Sequence, residues 1–323
     1  MRDPRDIIRF IKAKAVAAGD PVGALAYAKG QYGPESVPAR LLQKDVMGAG
    51  DLGADPDFRA AGRAFLELVK NRSLIGKIQA AVGFYQVPFY TGVLTQDQAS
   101  GAAWTGEGQR IKLATAKYRR AALPALKLAT IIPMTTELLK GAGAQFESTA
   151  SRDLSRAISD LEGFSFIDPS NAGVPGVSPA SITNSVAAIE GGAGALGDIR
   201  KLLDAFKGDL ETAVFIASPR AGLALHDAGY DGAGALGGDV AGIPLVTSSV
   251  VPDWLVALID PAGILVADEG VLLDMSEQST LVAADGTVLN LYQENMAAIK
   301  AERILNWSVE RAGSVIYLIG ANW

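Results

Sequence analysis

The chain contains no cysteine, which excludes a disulfide framework, a thiolate nucleophile and any thiolate metal site. A single histidine, His226, stands among 323 residues, so two-histidine metal centres and most zinc chemistry are excluded as well. No stretch approaches the roughly 18 consecutive apolar residues of a membrane-spanning helix. The nearest, Ala121 to Met134, holds Lys127 and two prolines. At the N-terminus Arg2, Asp3, Arg5, Asp6, Arg9, Lys12 and Lys14 precede any adequate apolar run, which does not read as a signal peptide. Positive charge is not in excess: the net charge of −6 argues against a protein that coats itself with phosphate contacts. Together these absences point to a soluble protein made in a cytoplasm.

What is present is ordinary globular composition, with 49% apolar and 20% charged residues. At 323 residues two compact units or one elongated body are expected. Residues 2 to 18 carry a short helical stripe (Ile7, Ile8, Ile11), and Asp20 to Asp55, rich in Gly, Pro and Asp, shows no sustained period and reads as an arm. Asp55-Pro56 looks like an N-cap followed by proline at the first helical position, opening a helix to Gln79. The clearest helix spans 145–167, with Phe146, Ala150, Leu154, Ala157, Leu161 and Phe164 as its expected buried stripe. Arg152, Asp153, Arg156, Asp160 and Glu162 are then left to solvent. After the loop Asp168 to Pro179, helices and strands alternate: helix Ile199 to Phe206, strand Thr212 to Ala217, helix to Ala228, strands Ile243 to Thr247 and Leu255 to Ile259. A β-rich end closes with Val315 to Ile319.

Several patterns invite a chemical reading. Gly192-Ala-Gly194-Ala-Leu-Gly197 fits the dinucleotide fingerprint and precedes a helix, so a phosphate could sit there. Two facts weigh against it. The acid expected at the end of the following strand is missing, since Ala217 gives way to Ser218-Pro219, and the GAGALG string recurs at Gly232 to Gly237 in a loop. His226 lacks a base or nucleophile partner, and Ser218, Ser248 and Ser249 lack a nucleophile elbow. Asp268, Glu269, Asp274 and Glu277 lack the spacing of a calcium loop and read as a solvated turn. No cofactor is expected.

The most informative stretch is Gly101 to Lys140. It passes Glu107 into a basic, strand-like ribbon carrying Arg110, Lys112, Lys117, Arg119 and Arg120, returns through Leu123, Ala125, Leu126, Leu128 and Ala129, and reaches a helix start at Thr136-Glu137. An isolated two-stranded ribbon is marginal in water, so it is expected to lie on a neighbouring copy. One aromatic, Tyr118, is thin for stacking on single-stranded nucleic acid. The predicted partners are acids of an adjacent subunit, with Asp153, Asp160 and Glu162 first.

This order of features resembles the major capsid proteins of tailed bacteriophages, the Hong Kong 97-like fold. The ribbon is similar to the family's extended loop, Thr135-Thr136-Glu137-Leu138-Leu139 to the step out of it, and helix 145–167 to the long spine helix. Gly173-Val-Pro-Gly-Val177, Val214-Phe-Ile-Ala-Ser-Pro219, Gly242-Ile-Pro-Leu-Val-Thr-Ser248 and Ala301-Glu302-Arg303 with Trp307 to Ile319 resemble later motifs, in order. The resemblance implies an α+β fold with an N-terminal arm (1–56), an extended β-ribbon loop (96–126), a peripheral domain (57–95, 127–181 with the spine helix, and the long strands 271–305) and an axial α/β domain (182–270, terminal strands 306–323).

It further implies a non-enzymatic subunit that self-assembles, as pentamers and hexamers, into an icosahedral head shell around packaged double-stranded DNA. Scaffolding, portal and decoration proteins would be partners, DNA contact would be non-specific, and no membrane would be involved. The virion would be its location, after assembly in the host cytoplasm. The arm is too short for a long cleavable scaffolding segment, so scaffolding is expected as a separate protein or the chain as a mature form. An intersubunit isopeptide would use Lys112 and Asn295, but the assisting glutamate falls at Ala301, one residue before Glu302, and no crosslink is expected. An encapsulin-like compartment is the alternative within the fold, and a dinucleotide-dependent oxidoreductase using Gly192 to Gly197 the alternative outside it.

Overall fold

The computed structural model describes residues 3, 5–17, 20–46, 56–98, 107, 117–137, 144–276, 279–283, 285–321 and 323. The chain divides into two compact units: unit 1 comprises 1–72, 127–160 and 269–304, and unit 2 comprises 73–126, 161–268 and 305–323. Among the described residues no helix is long and apolar enough to cross a membrane.

Unit 1 opens with α1 (Asp6–Val16), α2 (Pro21–Tyr32) and α3 (Val37–Val46). This corrects the expectation of an arm without sustained period after Asp20. Asp20 caps α2, its carboxylate accepting from the N–H groups of Val22 (3.1 Å) and Gly23 (3.0 Å), with Pro21 at the first helical position. Ser36 holds the start of α3 by accepting from Ala39 N–H at 3.4 Å. Helix α4 (Pro56–Arg72) follows. The helix expected to run to Gln79 breaks at Ser73, whose Oγ accepts from Gly76 N–H at 2.9 Å and begins α5 (Leu74–Ala81), a part of unit 2.

Strands β1 (Tyr85–Gln86), β2 (Val93–Gln98) and β3 (Lys117–Ala121) also belong to unit 2, and β4 (Lys127–Thr135) returns to unit 1. The long helix is α6 (Ala144–Ile167). The core of unit 1 joins Ile8, Ile11, Leu41 and Leu42 to Phe65 and Val69 of α4 and to Leu154 and Ile158 of α6. Strand β5 (Ala188–Glu190), α7 (Gly194–Ala205), β6 (Val214–Ala217), α8 (Pro219–Asp227), β7 (Gly238–Val240), β8 (Ile243–Thr247) and β9 (Leu255–Ile259) build most of unit 2. They are followed by β10 (Ile264–Ser276), the hairpin β11 (Thr280–Val282) and β12 (Val288–Asn290), β13 (Met296–Val309) and β14 (Val315–Ile319). In unit 1, β4 pairs antiparallel with β13 in an unbroken ladder from Thr135–Met296 to Lys127–Ile304.

Unit 2 is a three-layer α/β body on a mixed sheet of order β5-β14-β9-β6-β8-β7. Every residue of β6 and β9 is buried, as central strands covered on both faces must be. Val214 and Ile216 face a core with Leu74, Ile78, Phe166 and Trp307, while Phe215 and Ala217 face Ile199, Leu202 and Leu225 of α7 and α8. Phe84, Phe166 and Trp307 form an edge-to-face chain with centroids 5.9 and 5.3 Å apart. Ser218 caps α8, its Oγ accepting from Ala221 N–H at 3.1 Å, ahead of Pro219.

Candidate assembly interface

A basic two-stranded ribbon is present, but its pairing corrects the expected one. Strand β3 runs antiparallel to β2, with Lys117, Tyr118, Arg119 and Arg120 opposite Gln98, Gln96, Thr95 and Leu94, and a bulge between Gln96 and Gln98. The expected return strand from Leu123 to Ala129 does not form. Leu123 and Leu126 are buried in unit 2, and β4 is taken up by its ladder with β13. The long ladder satisfies far more backbone groups than a second ribbon strand could. Val93, at the ribbon's root, packs on a small cluster of Val87, Leu123, Leu265 and Ala267. Arg110 and Lys112 lie outside the described residues, as does the step from Leu138 onward; Thr136 and Glu137 begin a helix as expected.

Helix α6 carries the acids named as ribbon partners. Asp153 is exposed. Asp160 is partly exposed and already accepts from Arg156 Nε, 3.3 Å away. Glu162 is corrected: it is fully buried and engaged within the fold, so it offers no surface charge. The buried stripe is corrected too. Ala150 and Leu154 are inside, but Ala157 is exposed, and Leu161 and Phe164 are 51% and 48% exposed; the side chain of Phe146 lies outside the described residues. The inner side is Ser151, Leu154, Ser155, Ile158, Ser159 and Phe166. Those serines satisfy themselves: Ser151 Oγ donates to Glu147 O at 2.9 Å, and Ser159 Oγ lies 2.7 Å from Ser155 O and 3.2 Å from Val69 O of α4. Small satisfied hydroxyls are cheap to bury and let α4 approach closely. Leu161 and Phe164 gain no place inside.

Sequence reasoning missed the hub that ties the N-terminal helices to α6. Glu147, buried in its first turn, accepts from Arg9 Nε (3.0 Å) and Tyr32 Oη (2.8 Å), with Lys12 Nζ 3.5 Å away. Arg9 also reaches Asp6 at 3.1 Å. Burial pushes the Tyr32 phenol well above its ordinary value, and the Glu147 carboxylate that it faces adds to the rise. An acid near a helix N-terminus is favourable, but partners more than a hundred residues away in the chain leave no local signal.

The glycine-rich loop has the strand–loop–helix setting of the fingerprint, between β5 and α7. Its seat is filled from within. The Asp198 carboxylate, fully buried, accepts from the N–H groups of Gly192 and Ala193, each at 3.0 Å, from Trp323 Nε1 at 3.0 Å and from Lys201 Nζ at 3.1 Å. Burial pushes this carboxyl up, but the four donors outweigh it and hold it below its ordinary value. At the second GAGALG string the reason for glycine differs: Gly237 has φ +105°, and a Cβ there would lie 2.7 Å from the carbonyl oxygen of Leu245.

His226 is exposed near the end of α8. Asp268, Glu269 and Asp274 lie in strand β10, not in the solvated turn expected; Glu277 lies outside the described residues. Among the described residues no three His, Asp or Glu side chains group in a way that could hold a metal ion. Ala301 is buried, while Glu302 pairs with Lys300 at 3.4 Å.

A family model described as the phage capsid family matches residues 60–318. The capsid polyprotein of Pseudomonas phage PAJU2 is 30% identical over 356 aligned positions, covering 96% of this chain and 53% of that protein. The major capsid protein of Klebsiella oxytoca phage phiKO2 is 23% identical over 168, covering 51% of this chain and 37% of that protein. The chain thus spans about half the length, or less, of these curated relatives. In fold it is similar to a solved structure from Mycobacterium phage Cain, with TM-score 0.59, 15% identity, and 75% of this chain and 89% of that one covered. It is also similar to the capsid of a native GTA particle, with TM-score 0.55, 15% identity, and 76% and 90% covered.

Proposed function

The chain belongs to the phage capsid family, and from that premise we propose that it is the major subunit of an icosahedral head shell enclosing packaged double-stranded DNA. The observation that carries this reading is the extent of the family match, which runs through both compact units and the ribbon between residues 60 and 318. Pentamers and hexamers form through heterologous contacts that close into rings. The six-stranded sheet of unit 2, with α7 and α8, serves as the axial domain around the ring axes. The sheet of unit 1 and α6 serve as the peripheral domain, and β2–β3 is the base of the extended loop.

The ribbon cations Arg110, Lys112, Lys117, Arg119 and Arg120 meet acids of a neighbouring copy, and Asp153 is the first to test because Asp160 already holds Arg156. Scaffolding, portal and decoration proteins complete the particle. DNA contact is non-specific and weak, as a net charge of −6 suits. The particle assembles in the host cytoplasm and the chain resides in the virion. Its work is association, with no catalytic step.

Electron microscopy of the purified protein tests the reading. Closed particles or capsomer-sized rings are expected. A monodisperse monomer across protein concentration and salt, with no larger species when a scaffolding protein is added, overturns it.

A further inference from the structure

Two strands of unit 1 keep an open edge, and the first is β4. Thr136 N–H donates to Asn295 O, and Leu126 O accepts from Leu305 N–H, so the even-numbered residues of β4 are the ones that bond to β13. Lys127, Ala129 and Ile131 turn their N–H and C=O groups the other way, as alternate residues of an antiparallel pair must. Among the described residues no strand takes them up. Pro133 has no N–H to offer, so the open edge is short.

The second is the hairpin β11–β12. Its strands pair with each other and, among the described residues, with no other strand, and a lone hairpin is marginal in water. Val282 and Val288 stand opposite each other on it, 71% and 60% exposed. Leu291 N–H donates to Ser279 O and Ala283 N–H to Thr287 O, which leaves the backbone groups of Thr280 and Val282 pointing outward on β11. The outer edge of β12 is partly taken: Asn290 N–H donates to the Glu294 carboxylate at 3.0 Å, and Asn290 O accepts from Glu294 N–H. The open side of the hairpin is therefore β11.

We propose that β11 of one copy adds, antiparallel, to the β4 edge of the next copy. The inference rests on the shell-subunit reading. The hairpin leaves the sheet at the Thr135–Met296 end of the ladder, whereas the open edge runs back to Lys127, about 27 Å away at about 3.4 Å per residue. The edge that it meets thus belongs to another copy. Hairpin and edge are different surfaces, so the contact is heterologous, the kind that closes into rings.

Charge chooses the hairpin over the ribbon. From Ser279 to Asn295 the chain holds the acids Asp285 and Glu294 and no cation, whereas the ribbon would set Lys117, Arg119 and Arg120 against an edge that carries Lys127. Charge also sets the direction. With Val282 opposite Ala129 and Thr280 opposite Ile131, antiparallel addition brings the exposed tip residue Asp285 to Lys127; parallel addition would send it toward Pro133. The same register forms two hydrogen-bonded residue pairs and sets Val282 and Thr280 beside Ala129 and Ile131 on one face. A pairing this short forms only within an assembly, where neighbouring contacts hold the copies together.

A chain without cysteine allows a direct test. Opposed residues of a hydrogen-bonded antiparallel pair have Cα atoms about 5.5 Å apart, within the range of about 4.4–6.8 Å that a disulfide requires. Subunits carrying Ala129→Cys and Val282→Cys together are expected, on mild oxidation of assembled particles, to give a ladder of covalent oligomers, while unassembled subunits stay monomeric. Ala129→Cys with Val288→Cys, one strand farther away, is expected to give none. Charge supplies a second readout: Lys127→Glu or Asp285→Lys alone is expected to cut particle yield several-fold, and the two together to restore it. Particles that assemble normally without the crosslink between positions 129 and 282 overturn the inference and leave the shell reading intact, as does crosslinking of Ala129→Cys to Tyr118→Cys of the ribbon instead. Should the double-cysteine subunit fold but not assemble, the charge reversals decide: yields that neither reversal lowers, or that the pair does not restore, overturn the inference. Failure of the wild-type chain to assemble at all overturns the shell reading and this inference with it.

Discussion

At the scale of single residues, the fold is marked by buried charge, and Asp198 is the plainest case. A glycine-rich turn before a helix collects N–H groups that favour an anion, and the chain supplies that anion itself, from Asp198 of α7. Asp198→Asn keeps the shape but sets an amide NH₂ against N–H donors, so about 2–3 kcal/mol of stability should be lost at neutral pH. Because the folded carboxyl titrates below its ordinary value of 3.8, its contribution is complete above that value and is lost as pH falls through the lower folded value. The difference in urea midpoint between wild type and variant should accordingly hold steady from pH 7 to 5 and shrink below 3.8. A difference independent of pH would mean that the carboxylate charge has no part in holding the loop. The literal fingerprint was readable from sequence, and so was the missing acid after β6. The occupant of the seat was not, because nothing in a G-x-G-x-x-G string tells whether the next residue's carboxylate turns outward or back.

Among the elements, the N-terminal helices carry the clearest consequence of a single contact. Glu147 balances Arg9 and Lys12, the latter almost without exposure, and removing one member of a buried charge cluster costs about 3–5 kcal/mol. Glu147→Gln should therefore accelerate amide exchange in α1, α2 and α3 by on the order of 10²–10³-fold, while exchange in β6 and β9 of unit 2 stays unchanged. Equal acceleration in both units, or none, would show that the hub does not govern the docking of these helices. Elements of this kind were partly legible. The Asp-Pro signal read at Asp55-Pro56, where a helix does begin at Pro56 while Asp55 lies outside the described residues, also stands at Asp20-Pro21. There the glycines and alanines that follow hid any period: α2 is apolar around most of its circumference, with Val22 out and Ala24 and Ala28 in. Helix α6 was placed to within a residue at its start, yet its orientation was misjudged. After Leu154 the chain offers both Ala157 and Ile158, and the larger side chain goes inside, which rotates Leu161 and Phe164 outward and Glu162 inward. Strands with both faces covered, such as β8, β9 and β14, were legible to the residue because continuous apolar runs leave no choice of face.

For the molecule as a whole, what was legible was the order of segments, and what was not was how far apart in the chain partners lie: β4 finds β13 across about 160 residues, and no local pattern announces that. The ribbon's fate is decided by the same fact. Among the described residues, once β4 is committed to β13, β2 and β3 pair with each other alone, a two-stranded sheet marginal by itself, and Val93 at its root packs on a small apolar cluster. On the proposed function, the charges of Lys117, Arg119 and Arg120 serve contacts between copies. Replacing Lys117, Arg119 and Arg120 together with glutamate should leave the unfolding midpoint of the isolated subunit nearly unchanged and sharply reduce the yield of particles. One exposed ion pair is worth only about 0–1 kcal/mol, but reversal turns attraction into repulsion at every copy of the contact, and a closed ring multiplies the change. Partial variants, with one cation reversed, should assemble with a steep dependence on salt, since exposed charges are screened over about 8–10 Å near physiological ionic strength. Added salt should rescue them by weakening the new repulsion. Sedimentation of assembly mixtures across salt, beside circular dichroism of the subunit, measures both halves of the argument. A triple variant that assembles as wild type would remove the ribbon from the interface, and one that unfolds as a monomer would return its cations to the subunit's own fold.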